Sequence, residues 1–294
     1  MMDSPAQAPV SDADLERRFG GLRRLHGDAA YERLRRARVA VVGVGGVGSW
    51  AAEALARSGV AVLWLFDLDQ VSESNINRQV QALGATVGQA KVVALRERVA
   101  DIHPGCVVHA VEEFVDAARW PALLTEPVDV LVDACDQVRA KVVLAAWGLA
   151  SGTPVVCVGA AGGKQRPQAV EVADLAEVSH DPLLATLRQR LRQQHGAPRG
   201  DTAPPHPAGR SPRAPPPMGV RCVFSREPVQ APPDATCDTV DGTLNCHGYG
   251  SSVTVTATFG LVAAAEALAF VMAAARGEVA PVRAPARDVP QNAL

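Results

Sequence analysis

Lysine is nearly absent from this 294-residue chain: Lys91, Lys141 and Lys164 are the only three, so arginine carries almost all the positive charge. An excess of either sign is missing too, with 29 basic against 31 acidic residues, and at face value that balance argues against a nucleic-acid partner. The six cysteines (Cys106, Cys135, Cys157, Cys222, Cys237, Cys246) follow no regular spacing, which excludes a disulfide scaffold and fits a reducing, cytoplasmic setting. Residues 1–10 have neither a basic stretch nor an apolar core, so no signal peptide is predicted. There is no internal repeat, and none of the seven histidines falls at a metal-ligand spacing. Apolar residues, by contrast, are not scarce. A chain 48% hydrophobic and 20% charged is neither disordered nor fibrous, and its length supports a substantial core.

Proline is abundant in one place only. Eleven of 22 lie between Pro198 and Pro233, and the Pro-, Ala- and Arg-rich stretch 196–217 cannot build a core. Before it, short β-branched runs alternate with helical patterns. Strands are predicted at Val39–Val42, Val60–Phe66, Cys106–Val111, Val128–Val132 and Pro154–Gly159. Helices are predicted from the weak capping box Ser11-x-x-Asp14 to Gly20-Gly21, over Asp28–Ala37, from the glycine turn to Ser58, near Val87–Ile102 and from Asp136. That alternation implies an α/β fold, a doubly wound and mostly parallel Rossmann-like sheet. Further on, strands at Gln168–Ala173 and Gly219–Ser225 flank a basic helix, Asp181–His195. The apolar segment Val253–Ala275 is long enough to span a bilayer. Its Ala- and Thr-rich composition and the central Glu266 favour a buried or dimer-interface helix, with membrane association the lesser alternative.

The motif that carries chemistry is Gly43-Val-Gly45-Gly46-Val-Gly48, between a strand and a helix. Gly43 permits the tight turn, Gly45 the approach of backbone to phosphate, and Gly48 close packing of helix on strand. Asp67, ending the next strand, stands where a Rossmann acid holds a ribose hydroxyl. These residues alone would favour a nicotinamide dehydrogenase. Beyond Asp67, however, the loop carries Asp69, Asn75 and Arg78, and Lys91 follows in GQAK. Hydride transfer needs no such cations, whereas cleavage of the α–β bond of ATP does. Asp133 and Asp136 of DACD end the strand Val128–Val132 at the same edge, where magnesium would meet phosphates.

GVGGVGSW, DLDQVSESNINRQ, GQAK and DACD resemble the ubiquitin-activating-type (ThiF-like) adenylating superfamily over roughly residues 18–159. The resemblance implies that Gly43, Gly45, Gly46 and Gly48 hold ATP, with Asp67 at its ribose, Asp69 also in the cofactor site, and Asn75, Arg78 and Lys91 at its phosphates. It implies Asp136 as the Mg2+ ligand beside Asp133, a catalytic role for Arg78, Lys91 and Asp136, and an N-terminal arginine, Arg18 or Arg24, that reaches the ATP of a partner subunit in a homodimer. Sulfur-carrier activators of this superfamily hold zinc with two CxxC pairs, which Cys222, Cys237 and Cys246 are too widely spaced to form. RFGGLRRLHG, GAAGGKQRPQ, DPLLATLRQRLR, GVRCVFSREP and VTVTATFG are similar instead to the tRNA threonylcarbamoyladenosine dehydratase family, from about residue 19 to 275. The longer insertion 196–217 and the loop 228–250 depart from that pattern.

What this implies is a single ThiF-type domain over 1–275, with a nucleotide core at about 38–163, a substrate and dimer region at 164–275 and a disordered tail at 276–294. The expected reaction adenylates the threonyl carboxylate of threonylcarbamoyladenosine in tRNA and then closes a ring within that side chain. The alternative is activation of a small ubiquitin-like sulfur carrier. A Na+ or K+ site at Gly159–Gly163 and a cysteine-desulfurase or sulfur-relay partner are implied by resemblance alone. Cys222 is a candidate nucleophile or a structural thiol. From Leu183 to Arg226, eight arginines oppose one acid, Asp201, so the near-neutral total averages over a basic segment. Arg188, Arg190 and Arg192 are the candidate RNA contacts.

Overall fold

The computed structural model describes residues 12–198, 215–230 and 249–275. Most of the insertion 196–217 and of the loop 228–250, the whole tail 276–294, Ser11, Cys237 and Cys246 lie outside them. Two helices, α1 (Asp12–His26) and α2 (Asp28–Leu34), precede the first strand, β1 (Arg38–Val42). The alternation then runs α3 (Gly48–Arg57), β2 (Val62–Phe66), α4 (Lys91–Ile102), β3 (Val107–Val111), β4 (Val130–Asp133), α5 (Val138–Ser151) and β5 (Val155–Val158). The second part adds β6 (Val170–Asp174), α6 (Pro182–Gln194), β7 (Arg221–Ser225) and α7 (Val253–Ala275).

The seven strands form one sheet in the order β3-β2-β1-β4-β5-β7-β6. All neighbours are parallel except β6 and β7, which pair antiparallel. The chain leaves β1 toward β2 on one side and returns to β4 on the other, so a topological switch point opens between β1 and β4. In such sheets ligands bind there, at the carboxyl ends of the strands.

Strand alternation sorts side chains onto two covered faces. Val39, Val41, Leu63, Leu65, Val130 and Val132 face α3, α4 and α7, while Ala40, Val42, Trp64, Phe66, Leu131 and Cys157 face α5 and α6. The long apolar helix is therefore a core element: Val255, Phe259, Ala263, Ala267 and Val271 are buried against the sheet and α3. Gly260 lets α7 sit directly on α3, since a Cβ there would come within 2.8 Å of Trp50 Cβ. Glu266, the one charge of this helix, pairs with Arg221 on β7 at 3.3 Å, which removes the cost of a carboxylate in apolar surroundings.

Most expected boundaries shift by three residues or fewer, and two move further. The helix expected to stop at Gly20-Gly21 runs on to His26. Glycine costs only about 1 kcal/mol in a helix interior, and packing of Leu15 and Phe19 against Tyr31 outweighs it. The helix expected from Val87 begins at Lys91, because residues 88–90 pair with the loop after β2: Gly88 N–H donates to Val71 O and Val71 N–H to Gln89 O, both at 2.8 Å.

His103, which caps α4, packs against Phe19 with ring centroids 4.7 Å apart and the rings tilted by 56°. Burial, aided by Arg35 and Arg18 nearby, pushes its pKa down from 6.5 to about 4. Between those values the unfolded chain binds the proton and the folded chain does not, so this residue lowers stability as pH falls from 6.5 toward 4. Melting temperatures near neutrality and at about pH 5 should therefore differ less in His103→Gln than in the parent. Identical pH slopes would rule out this linkage.

Candidate functional site

The site is built at the switch point, and its geometry starts from missing side chains. Gly43 follows β1 with φ +81°, and a Cβ there would lie 2.9 Å from Cys135 Cα, so the turn and the loop after β4 are packed backbone to backbone. A Cβ at Gly48 would collide with the Gly43 carbonyl oxygen. Gly45 differs. Its absent Cβ would meet only Gln79 Nε2, at 3.9 Å, so this side of the turn is not packed against the protein. At Gly46 the roof is Arg78, whose Cγ and Cδ would be 3.4 Å from a Cβ.

Asp67 leaves β2 beside this turn. Its carboxylate accepts the Val44 N–H at 2.8 Å and the Asp69 N–H at 2.9 Å, which aims it along the carboxyl edge of the sheet. Burial raises its pKa above the ordinary value, partly offset by Lys91 and the two backbone donors. Lys91 is buried and ion-paired with Asp69 at 2.6 Å, with Asp67 at 4.0 Å, so in this state its charge is met by carboxylates. Asn75 is buried and caps its own loop: its Oδ1 accepts the Ser72 N–H at 3.0 Å. Arg78 has its carbonyl anchored by Trp50 Nε1 at 3.0 Å, while Nη1 donates to Ser74 O and Asn77 Oδ1. The backbone is fixed and the half-exposed guanidinium has only local partners, the arrangement of an arginine able to swing onto a phosphate.

The two acids of DACD separate. Asp136 is exposed, one residue beyond the Cys135 backbone that packs on Gly43. Asp133 is fully buried, ion-paired with Lys141 at 3.1 Å and contacted by the thiols of Cys135 and Cys157, so it cannot reach a nucleotide or a metal. Its removal from the expected ligands is a correction. The cause is strand alternation, which turns Asp133 toward α5.

Of the two readings of Cys222, its surroundings favour the structural thiol. It lies on β7 opposite Cys157, fully buried toward α5 and α6, and burial holds it protonated by raising its pKa well above the usual range. The arginines that might have activated it are taken: Arg221 by Glu266, and Arg226 by Glu171 at 2.9 Å. Arg188 also leaves its expected role, because its Nη1 donates to Leu175 O and Val178 O. Arg192 Nε donates to Pro198 O. Of the two N-terminal candidates, Arg18 caps α4 through Asp101 O and Ile102 O, whereas Arg24 is exposed and has no side-chain hydrogen bond among the described residues.

Three contributors escaped the sequence reading. Thr256 of α7 stands 3.3 Å from where a Cβ of Gly46 would be. Trp50 holds the Arg78 carbonyl, and buried Gln81 donates to Val44 O at 2.9 Å. The repeated amide of RQVQ is the available sign for Gln81; Thr256 lies within VTVTATFG, but sequence does not place that segment beside the glycine turn.

A glycine turn opening a helix, an acid after the second strand and an arginine beside the turn define a nucleotide-binding protein of the doubly wound type. The ThiF family profile matches residues 17–287. The tRNA threonylcarbamoyladenosine dehydratase of Escherichia coli is 39% identical over 274 residues, covering 90% of this chain and 97% of the relative. The enzyme of the same name from Haemophilus influenzae is 36% identical, with 85% and 91% covered. A crystal structure of the E. coli dehydratase in complex with ATP superposes with a TM-score of 0.77 and 38% identity, covering 92% of this chain and 99% of the other. The chain belongs to the ThiF family and, within it, to the tRNA threonylcarbamoyladenosine dehydratases.

The glycines make a contrast that can be measured. Gly45→Ala should fold with an unchanged melting temperature but bind ATP about tenfold more weakly, the equivalent of one charge-assisted hydrogen bond. Gly48→Ala should fail to fold stably. Unchanged ATP affinity in Gly45→Ala, read by calorimetry, would remove this backbone from the phosphate site.

Proposed function

We propose that the chain uses ATP to dehydrate threonylcarbamoyladenosine in tRNA, closing a ring in the threonyl side chain. The near full-length similarity to dehydratases, rather than to the nucleotide core alone, carries this reading. The geometry supports the chemistry. Gly43 to Gly48 would cradle the phosphates at the start of α3, with Asp67 at the ribose. Arg78, released from Ser74 O, would meet the negative charge that develops when a threonyl carboxylate oxygen attacks the α-phosphorus and pyrophosphate departs. Lys91 would follow if a phosphate displaced Asp69 from its ammonium. The acyl-adenylate is then attacked from within the same side chain, AMP leaves and the ring closes. An intramolecular attack at a held carbonyl needs positioning more than a protein nucleophile, in keeping with a buried Cys222.

For magnesium the residues fit. Asp136 is a single exposed carboxylate at the phosphate turn, and Mg2+ is commonly held by one or two carboxylates with substrate phosphates. It would shield the charge of the phosphates there. A Na+ or K+ ion at Gly159–Gly163 is not part of the proposal. The Gly163 N–H and carbonyl are bonded to Gly250 O and Gln230 N, and the positive charge in that place is buried Lys164, which donates to Ser225 O and Glu227 O. Among the basic helix residues, Arg190 is the one we assign to RNA phosphates. We further propose a cytoplasmic homodimer in which Arg24 reaches across. A sulfur relay is not proposed, because Cys222 has no access to solvent.

Pyrophosphate release should require both ATP and tRNA carrying threonylcarbamoyladenosine. Release triggered only by a carrier protein's C-terminus would favour the sulfur-carrier reading instead. Arg78→Ala should lose about 10²- to 10³-fold in kcat/KM without a change in melting temperature, and near-normal turnover would take Arg78 out of the site. Cys222→Ala should keep its turnover at a stability cost of about 1 kcal/mol; a folded but inactive variant would point to a thioester route.

A further inference from the structure

The Asp133–Lys141 pair is the most deeply buried charge in the described residues, and the nucleotide chemistry has no direct use for it. Both side chains are fully inaccessible to solvent. From the first turns of α5, Lys141 Nζ reaches back to the end of β4, where it meets Asp133 Oδ1 at 3.1 Å and donates to Asp133 O at 3.3 Å. Burial works against this ammonium, but Asp133 outweighs it and holds Lys141 charged. The staple closes the loop 134–137 onto itself.

Every other bond of Asp133 serves that loop or the neighbouring strand. Its Oδ1 accepts the N–H of Cys135 at 3.3 Å and the Cys135 thiol at 2.9 Å, and its Oδ2 accepts the Cys157 thiol at 3.4 Å. The loop is also tied to β1, with Ala134 N–H donating to Val42 O at 2.9 Å. Its backbone is the surface on which the phosphate turn rests: Cys135 Cα and N would each lie 2.9 Å from a Cβ at Gly43, and Ala134 Cβ 3.2 Å from one at Gly48. The next residue is Asp136.

We infer that Lys141 and Asp133 are positioning residues for adenylation: together they fix one loop that sets both the height of the phosphate turn and the place of the Asp136 carboxylate. The inference rests on the ATP reading above. A buried ion pair is weak evidence of stabilisation, since an apolar pair of similar volume often stabilises as well or better. Its use here is therefore geometric, and a displacement near 1 Å at such a site costs about 100-fold in rate.

The test replaces the pair rather than breaking it. Asp133→Leu/Lys141→Met should melt close to the parent temperature and bind the modified tRNA in the absence of ATP with parental affinity. Its kcat/KM for ATP should nevertheless fall about 100-fold, and Lys141→Arg, which keeps the charge and the donors, should recover part of the loss. A double variant with parental melting temperature and parental kcat/KM for ATP overturns the inference. Hydrogen exchange on the unaltered protein decides it even if the variants do not fold. The amides of Gly43, Ala134 and Cys135 should already exchange slowly without nucleotide and change little when ATP is added. Fast exchange that slows only with ATP shows a loop ordered by its ligand and overturns the inference too. If the unaltered protein releases no pyrophosphate when given both ATP and tRNA carrying threonylcarbamoyladenosine, the functional reading fails and the inference falls with it, whereas failure of the positioning role alone leaves that release intact.

Discussion

Everything at this site depends on the contact between the backbone after β1 and the backbone after β4. Gly43, in a left-handed conformation, lies against Cys135 with no side chain between them, and Gly48 brings the first turn of α3 down onto the same carbonyl. Separating the two backbones by the width of a methyl group would lift the phosphate turn away from the sheet edge. Side chains from four other elements are arranged around that fixed point. Asp67, just after β2, accepts the Val44 N–H of the turn, Arg78 and Thr256 border Gly46, and Asp136 follows the loop residue that packs on Gly43.

The helix α7 links packing to function. An apolar segment of 23 residues could have been a membrane span by length alone. Instead one face is buried on α3 and the sheet, Gly260 permits the close approach, and Glu266 is neutralised by Arg221. Its first turn supplies Thr256, which, with Trp50 of α3, borders the carbonyl of Arg78. A core helix thus helps to hold the backbone of Arg78, the arginine proposed to meet phosphate, while its guanidinium is bonded only within its own loop.

Much of this was legible in the residue pattern. Strand, glycine turn, helix and acid follow one another with spacings that have few alternatives, and the motifs around Arg78, Lys91 and Asp136 point to ATP rather than to a nicotinamide. The failures were of orientation. Asp133 and Asp136 are equivalent as letters, but Asp133 is the last residue of β4 and the pleat turns it inward, whereas Asp136 lies in the exposed loop beyond the strand. Cys222 and Arg221 alternate in the same way, so an arginine adjacent in sequence faces away from the thiol. Arg188 was counted as part of a basic helix face, yet its donors satisfy two carbonyls of its own loop, a local demand that spacing does not reveal. Lys141 passed as one lysine of three, because its partner is defined by the packing of α5 on β4.

An adenylating site of this geometry is suited to act on a carboxylate inside a modified tRNA nucleoside. Mass analysis of nucleosides digested from tRNA after incubation with the enzyme and ATP tests it most directly. Threonylcarbamoyladenosine should be replaced by a species lighter by one water, with AMP and pyrophosphate formed in equal amounts. An unchanged nucleoside, alongside an adenylated carrier-protein C-terminus when a carrier is supplied, would contradict it.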